Sequence, residues 1–334
     1  MKWTLFLVVT LAVISIGCQQ NNTPKLNAGK QFENPADSIN ELIKESPNDA
    51  QLYFERAQLH YANRDVASSL SDVGRALKLD SGNVEFYILL ANLKLINKQS
   101  RDSKDALLKA YRINPTDTRV LLKLGELYMI VNDYDASFRY LNEALQQDIH
   151  LAEAYRLKGF NYKYSGDTTN AVSSFQTAIE QDPDDYDSYL QLGLIYSSIL
   201  NPLALNYYDN ALRVRPASLE AMYAKALHLQ NIGESRLAIR LYDQIIEANP
   251  NFFNAHYNKG FVYLEQLEKY DSAAVAFTQA INYGPENYFQ AVYNRGLANE
   301  RMGNKTSAKE DYKLALKQNP QYDLAAHGLS RVGQ

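Results

Sequence analysis

One cysteine and five histidines are the residues of this sequence best suited to nucleophilic, metal-binding or proton-transfer chemistry. Cys18 has no second cysteine with which to form a disulfide or a Cys-x-x-Cys site. The histidines lie far apart, and none is spaced i, i+4 from another histidine, as a helical metal site would require. The motifs Gly-x-Ser-x-Gly, His-Glu-x-x-His, Gly-x₄-Gly-Lys-Ser/Thr and Gly-x-Gly-x-x-Gly are also missing. The sequence therefore predicts a protein that is not an enzyme and holds neither a metal nor a cofactor. The histidines are His60, His150, His228, His256 and His327.

The composition is that of a globular protein, with 46% apolar, 22% charged and 11% aromatic residues in 334. The formal net charge is −4, so no basic excess is available to bind a phosphate backbone, and nucleic acid is not an expected partner. There are 25 tyrosines but only 15 glycines, which favours amphipathic helices over a turn-rich β fold.

The first seventeen residues have the order of a secretory signal peptide. Lys2 supplies a positive start, residues 5–16 form an uncharged and mainly apolar run, and Gly17 is a small residue directly before Cys18. A run of twelve residues is shorter than the roughly 20 that a helix needs to cross a bilayer, so an uncleaved anchor is the weaker alternative.

The position of Cys18 resembles the lipobox of bacterial lipoproteins, in which the cysteine is lipidated and becomes the mature N-terminus. Gly17 matches this pattern, whereas Ser15 stands where the family prefers leucine. The resemblance implies a lipid anchor in the bacterial cell envelope, with the outer membrane and its periplasmic face as the expected location. A cysteine that falls by chance behind an ordinary signal peptide is the alternative. Residues 18–34 are polar and are predicted to be a tether.

An internal repeat of 33 to 35 residues runs through most of the chain. Each unit has two apolar stretches with helical spacing, joined by a short polar turn, and a turn residue, often proline, follows the second stretch. Neither helix can bury its apolar stripe alone, so neighbouring units are expected to stack as a solenoid. The repeated residue of the second helix is Ala76, Ala110, Ala144, Ala178, Ala211, Ile245, Ala280 or Ala315, and that of the first is Ala57, Ala91, Gly125, Gly159, Gly193, Ala226, Gly260 or Gly296.

Residues 152–185, AEAYRLKGFNYKYSGDTTNAVSSFQTAIEQDPDD, resemble the tetratricopeptide repeat. The residues that carry the match are Tyr155, Gly159, Tyr162, Ala171, Phe175, Ala178 and Pro183. The resemblance implies an all-α, right-handed superhelical solenoid of about eight helix-turn-helix repeats. We place the repeats at residues 50–83, 84–117, 118–151, 152–185, 186–218, 219–252, 253–287 and 289–322, with capping helices in residues 35–49 and 323–334.

Two kinds of departure from the repeat pattern stand out. A basic residue often precedes the small residue of the first helix, where the family prefers leucine; these residues are Arg56, Lys158, Lys225, Lys259 and Arg295. We expect the aliphatic stem of each to cover apolar surface while its head reaches water. Repeat five is also one residue short near Asn201-Pro202, and repeat seven is one residue long near residues 267–271.

In the family, positions 5 and 9 of the first helix line a concave groove that holds a peptide. The resemblance implies that position 5 places Phe54, Ile88, Leu122, Arg156, Leu190, Tyr223, Tyr257 and Tyr293 there. Position 9 adds Gln58, Asn92, Glu126, Phe160, Leu194, Leu227, Phe261 and Leu297.

The groove residues divide into two zones. The charged zone, in repeats three and four at these positions or near them, is Arg119, Glu126, Arg156 and Lys163. The tyrosine zone, in repeats six to eight, is Tyr223, Tyr257 and Tyr293, backed by Leu227, Phe261 and Leu297. Asn258 and Asn294 are predicted to hydrogen-bond a ligand backbone. Tyrosine gives a large contact area and one polar handle, which suits a peptide or an amphipathic helix. The alternative is that these rings only shield neighbouring first helices.

The sequence thus predicts a scaffold or adaptor that binds a segment of an envelope protein. The rival hypotheses are a periplasmic receptor for a small ligand and, less favoured, an enzyme.

Overall fold

The computed structural model describes residues 35–333. The predicted signal peptide, Cys18, the tether and the last residue lie outside this range. The described residues form two compact units, which divide after Asp80. Every regular element between residues 35 and 333 is helical, as predicted.

The first unit contains three helices: α1 (Pro35–Glu45), α2 (Ala50–Ala62) and α3 (Val66–Leu79). Arg56 joins all three helices. Its guanidinium donates to both carboxylate oxygens of Asp72 on α3, at 2.6 and 2.7 Å, and to Asn40 Oδ1 on α1 at 2.7 Å. Helix α1 therefore packs on α2 where the sequence predicts a capping helix.

The second unit contains fourteen α-helices in seven antiparallel pairs, followed by one more helix. First helices alternate with second helices along the chain. The first helices are α4 (Val84–Ile96), α6 (Thr118–Ile130), α8 (Ala152–Tyr164), α10 (Tyr186–Ser198), α12 (Leu219–Asn231), α14 (Phe253–Phe261) and α16 (Phe289–Arg301). The second helices are α5 (Ser100–Ile113), α7 (Tyr134–Gln147), α9 (Thr168–Gln181), α11 (Leu203–Val214), α13 (Ser235–Ala248), α15 (Tyr270–Tyr283) and α17 (Lys305–Gln318), and α18 (Asp323–Val332) ends the chain.

Short polar side chains define where many helices begin. Asp117 and Ser218, for example, accept a hydrogen bond from a backbone N–H of the first turn of α6 and α12. The residue that reverses the chain between the two helices of a repeat has a positive φ and is glycine at Gly166, Gly233 and Gly303. Other repeats place a larger residue in the same conformation: Arg64, Lys98, Asn132, Leu200 and Glu268.

Where the small residue of a first helix is glycine, it lies against a large side chain of the second helix. A Cβ atom on Gly159 would come within 2.6 Å of the Phe175 ring, and one on Gly125 within 2.5 Å of Leu141 Cδ2. Both large side chains are fully buried. The glycines are therefore what allows the paired helices to approach, as the spacing of the repeat predicts.

Four of the five basic residues that precede the small residues form ion pairs, and the fifth, Lys158, donates a hydrogen bond to Asn142 Oδ1. Lys225 and Lys259 pair with Asp209 and Asp243, each on the second helix of the preceding repeat. Arg295 instead binds Asp311 on the second helix of its own repeat, at 2.6 Å. The replacement of leucine by a basic residue thus gives the helices a polar connection.

The two irregular repeats differ in how they absorb their change in length. In repeat five, Pro202 precedes a second helix of 12 residues, whereas α9 and α13 have 14. In repeat seven, the first helix continues into a π-helical segment, Val262–Gln266. The extra residue therefore widens the helix itself and not only the turn.

Candidate protein-binding face

The predicted groove residues of the second unit lie on first helices, and we call their shared side the first-helix face. Position 5 is not uniformly open there. Leu122 and Leu190 are 9% and 3% exposed, and Phe54, in the first unit, is 6% exposed. Ile88, Arg156 and the three tyrosines of the tyrosine zone are only half-buried. Position 5 therefore offers most surface to a ligand in repeats two, four and six to eight.

Position 9 is buried in none of the eight repeats, and in repeats five to eight it is occupied by an apolar side chain. Leu194 is 38% exposed, and Leu227, Phe261 and Leu297 are half-buried. These four residues give repeats five to eight a row of partly solvated apolar side chains. A partner with its own apolar side chains would remove this area from water.

The three tyrosines of the tyrosine zone share one packing arrangement. Each ring lies against an aromatic ring that immediately precedes the next first helix or α18. The centroid distance is 5.3 Å in each of the three pairs, which are Tyr223–Phe252, Tyr257–Tyr288 and Tyr293–Tyr322. Successive repeats are thus joined by ring contacts along this part of the face.

Two asparagines link the tyrosines further. Asn258 Nδ2 donates to Tyr223 Oη at 2.8 Å, and Asn294 Nδ2 donates to Tyr257 Oη at 3.0 Å. The amide nitrogens predicted to bind a ligand therefore already bind the tyrosine of the preceding repeat.

This arrangement fixes how the tyrosine hydroxyls can act. Burial raises the pKa of Tyr223 and Tyr257, so both phenols are protonated at neutral pH. Because each oxygen accepts the asparagine hydrogen, its own hydrogen is left to donate. A peptide carbonyl oxygen requires such a donor.

Three of the four residues of the charged zone form ion pairs, and the fourth hydrogen-bonds a neutral amide. Arg119 binds Asp117 at 2.7 Å, Lys123 binds Glu126 at 3.0 Å, and Arg156 contacts Asp185 at 3.2 Å. Lys163 donates to Gln191 Oε1 at 2.5 Å. A charged ligand would have to compete with these partners.

The last repeat adds a cleft of about 600 Å³ that the sequence did not reveal. Tyr293 and Leu297 lie beside Glu300, Arg301 and Arg331. Arg331, on α18, donates to both carboxylate oxygens of Glu300 at 2.7 and 2.8 Å, and this contact lowers the pKa of Glu300. The two residues are 31 positions apart, so only the packing of α18 brings them together.

Neither a cluster of metal-ligating side chains nor a membrane-spanning helix occurs in the described part of the chain. Between residues 35 and 333, no three His, Cys, Asp or Glu side chains are grouped to hold a metal ion. His228 and His256 are buried, and each has a hydrogen-bond partner, Ser197 Oγ and the Pro250 carbonyl respectively. None of the helices in this range has the length and apolarity to span a bilayer.

Family models described as tetratricopeptide repeat match six segments of the chain, which together cover more than half of it. The segments are residues 30–84, 118–148, 152–185, 174–203, 241–274 and 289–322. The chain belongs to the tetratricopeptide repeat family. The family and the fold predicted from the sequence are thereby confirmed.

Other tetratricopeptide proteins resemble this one at low sequence identity. The TPR repeat-containing protein MJ1428 of Methanocaldococcus jannaschii is 22% identical over 87% of this chain and 62% of its own length. The BBSome complex member BBS4 of Bos taurus is 25% identical over 67% of this chain. This chain spans only 44% of BBS4.

Solved structures show the same fold. The C-terminal part of a TPR repeat-containing protein from Cytophaga hutchinsonii superposes with a TM-score of 0.62 over 72% of this chain and 98% of its own, at 16% identity. In the APC/C hetero-tetramer Cut9–Hcn1, a chain superposes with a TM-score of 0.51 over 89% of this chain and 59% of its own, at 17% identity.

Proposed function

We propose that this tetratricopeptide protein is a non-enzymatic scaffold that binds a peptide or helix of a partner protein along the tyrosine zone. The observation that carries the proposal is the hydrogen bonding of Tyr223 and Tyr257. Asparagine orients each hydroxyl and leaves its hydrogen free for a carbonyl oxygen. The partly exposed Leu227, Phe261 and Leu297 supply apolar contact beside these donors. A polar donor beside an apolar surface is a common arrangement in peptide recognition.

The relatives agree with a role in protein assembly. BBS4 is by name a member of a protein complex, and this chain matches it over 67% of its residues. We infer that the present protein also holds other proteins, whose identity its own groove residues determine.

Photocrosslinking in intact cells tests this proposal. A photoreactive amino acid replaces Leu227, Phe261 or Leu297 one at a time, and Val275, which is 64% exposed on the second helix α15, serves as the matched control. We expect the photoreactive residue at each of the three groove sites to crosslink one and the same protein through the same segment. The photoreactive residue at position 275 should not crosslink that protein. A synthetic peptide of that segment should then bind the purified protein, and Leu227→Glu should weaken binding at least tenfold.

Several results would contradict the proposal. Equal capture at Val275 would mean that the contact is not specific to the groove. Groove sites that capture no protein, together with a thermal shift produced by a metabolite, would favour the small-ligand receptor. Turnover of a metabolite that one polar substitution abolishes would favour an enzyme.

We further propose that Cys18 is lipidated and anchors the scaffold at the bacterial cell envelope, with an envelope protein as its partner and the periplasmic face of the outer membrane as its location. Support comes from the order of residues 1–18, in which an apolar run and Gly17 precede the lone cysteine. A Cys18→Ser protein should leave the membrane fraction after a salt wash and lose incorporation of labelled fatty acid. If Cys18→Ser still pellets with membranes, lipidation is not the anchor.

A further inference from the structure

The turn between α10 and α11 in repeat five exposes three aliphatic side chains. Ile199, Leu200 and Leu203 are 68%, 53% and 46% exposed, although they lie within five residues of one another. Single exposed aliphatic residues are ordinary on a protein surface, whereas a cluster at the end of a helical hairpin forms an apolar patch. We call residues 199–203 the repeat-five tip.

One leucine of the tip has an unfavourable backbone conformation. Leu200 has φ 54°, in the left-handed region, where the repeats on either side have Gly166 and Gly233. A leucine in this conformation suffers steric conflict that glycine avoids, and Leu200 gains little burial in return. Four other repeats also place a residue other than glycine in this conformation, but Arg64, Lys98, Asn132 and Glu268 are all polar. Leu200 is therefore the one aliphatic side chain at this turn position of the described repeats, and its exposure suits contact with an apolar surface.

The sequence around the tip carries no charge. Residues 188–208 are 21 consecutive residues without Asp, Glu, Lys, Arg or His, although a composition of 22% Asp, Glu, Lys and Arg predicts about five such charges in that length. Protein interfaces usually surround their apolar centre with a polar rim. The absence of charge instead suits an environment in which any charged group is costly.

The backbone N–H groups of the tip are satisfied inside the turn. Leu200 donates to the Ser197 carbonyl at 3.0 Å, Asn201 to the Tyr196 carbonyl at 2.9 Å and Leu203 to Asn201 Oδ1 at 2.9 Å. Pro202 has no N–H to satisfy. The turn can therefore leave water without exposing a free backbone donor to hydrocarbon.

Tyrosines lie close to the tip in sequence and in the fold. Tyr196 and Tyr207 flank the turn on α10 and α11 and stack with a centroid distance of 5.3 Å. Tyrosine favours the boundary between lipid and water, because its ring is apolar and its hydroxyl is polar. In a bilayer surface, the aliphatic residues at the end of the turn would meet the acyl chains, and the tyrosines behind them would lie at the boundary with water.

We propose that the repeat-five tip inserts into the boundary between headgroups and acyl chains of a lipid bilayer. Insertion buries Ile199, Leu200 and Leu203 and uses apolar contact instead of charge, since the tip has no basic residue and the chain is net acidic. Binding should therefore occur on zwitterionic lipid and resist salt. The inference depends neither on modification of Cys18 nor on the proposed scaffold function, because the tip itself makes the contact.

A fluorescence experiment with a matched control tests the insertion. In the full chain carrying Cys18→Ser, one variant has Leu200→Cys and the other Glu268→Cys, and each single thiol carries the environment-sensitive dye NBD. Glu268 has the same left-handed conformation, with φ 53°, in the turn of repeat seven, where the exposed neighbouring residues are polar. Because residues 1–34 are identical in both variants, any membrane affinity of that segment affects both equally.

Phosphatidylcholine vesicles, with and without bromine on the acyl chains, provide the probe surface. We expect the dye at position 200 to shift to the blue, to brighten at least twofold and to be quenched by the brominated chains, also in 1 M salt. The dye at position 268 should change much less. Adding Ile199→Ser and Leu203→Ser should reduce the response at position 200 at least threefold, with an unchanged circular dichroism spectrum.

Three outcomes would overturn the inference. One is an equal response, or none, at the two positions, which would mean that the tip is not the inserting element. Another is a response that salt abolishes, which would indicate electrostatic adsorption. The third is a change at position 200 that needs no vesicles and grows with protein concentration, since a second copy of the chain would then cover the tip.

Discussion

The charged zone lies in repeats three and four and the tyrosine zone in repeats six to eight, and the two use different interactions on the first-helix face. In the charged zone, side chains such as Arg119 and Glu126 form ion pairs close to water. In the tyrosine zone, Tyr223 and Tyr257 pack on rings and accept asparagine hydrogen bonds. One helical framework therefore supports two surfaces of different chemistry.

The difference bears on where a partner binds. Exposed ion pairs contribute little to stability and can exchange with water or salt, and a ligand gains little by replacing one of them. Half-buried tyrosines with oriented hydroxyls are already ordered, so a partner that contacts them loses less conformational freedom. This reasoning favours the tyrosine zone as the binding surface, and the two zones should also differ when residues are removed.

The largest expected difference comes from truncating one residue in each zone. Tyr257→Ala removes contacts with Phe277 and Tyr288 and leaves Asn294 without its acceptor, so we expect a loss of about 3 kcal/mol in the free energy of unfolding. Glu126→Ala breaks only the exposed pair with Lys123 and should cost less than about 1 kcal/mol. Urea unfolding followed by circular dichroism measures both. Similar losses would mean that the two zones do not differ in structural role.

The close approach of paired helices at glycine should be needed in the repeats of both zones. Gly125 faces Leu141, and Gly260 faces Phe277, whose ring would be 2.9 Å from an added Cβ. Gly125→Ala and Gly260→Ala should each destabilise the protein by about 1 to 2 kcal/mol, because the large side chains are buried. Gly74→Ala is the control, since no atom lies within 4 Å of its added Cβ, and it should stabilise the protein by about 0.5 to 1 kcal/mol. If all three variants behave like Gly74→Ala, close approach does not explain these glycines.

A smaller effect should separate the polar contacts of the two zones. A double-mutant cycle of Asn258→Ala and Tyr223→Phe should give a coupling energy of about 1 kcal/mol that 1 M salt leaves unchanged. The same cycle with Glu126→Ala and Lys123→Ala should give about 0.5 kcal/mol, and salt should remove it. Equal salt sensitivity in the two cycles would contradict the distinction.

Much of this architecture could be predicted from the sequence, because the same pattern recurs every 33 to 35 residues and specifies the same helix pair each time. The small residues predicted the close helix pairs, and Gly159 lies against Phe175 as the spacing requires. The first-helix positions likewise placed Tyr223, Tyr257 and Tyr293 on one face. These are local rules repeated along the chain, and they do not depend on how distant residues pack.

Other features depend on packing between elements, and the sequence does not show them. Asn258 reaches Tyr223 across 35 positions, and Arg331 reaches Glu300 across 31. Leu122 and Leu190 share the position of the tyrosines but are buried, because the surrounding helices cover them. The extra residue of repeat seven could be counted from the sequence, but its π-helical form could not.

The smallest expected difference is in pH dependence, which should have opposite signs in the two zones. Arg119 holds the pKa of Asp117 below its ordinary value. This carboxylate therefore stabilises the fold above about pH 4, and the contribution is lost as pH falls through the folded pKa. Burial raises the pKa of Tyr223 and Tyr257. Their neutral state is maintained below about pH 10, and stability is lost as pH rises from there through the folded pKa.

Two conservative variants separate these acid and alkaline limbs. Asp117→Asn keeps an oxygen for the helix N-cap but removes the charge, so it should make the acid limb of unfolding midpoint against pH shallower and leave the alkaline limb intact. Tyr257→Phe should make the alkaline limb alone shallower, since it removes one half-buried ionisable hydroxyl. Urea midpoints across the pH range, with tyrosinate absorbance as a second readout, measure the two effects. An alkaline limb that Asp117→Asn changes as much as Tyr257→Phe would show that the zones are energetically coupled, because a charge in repeat three would then influence the ionisation of rings four repeats away.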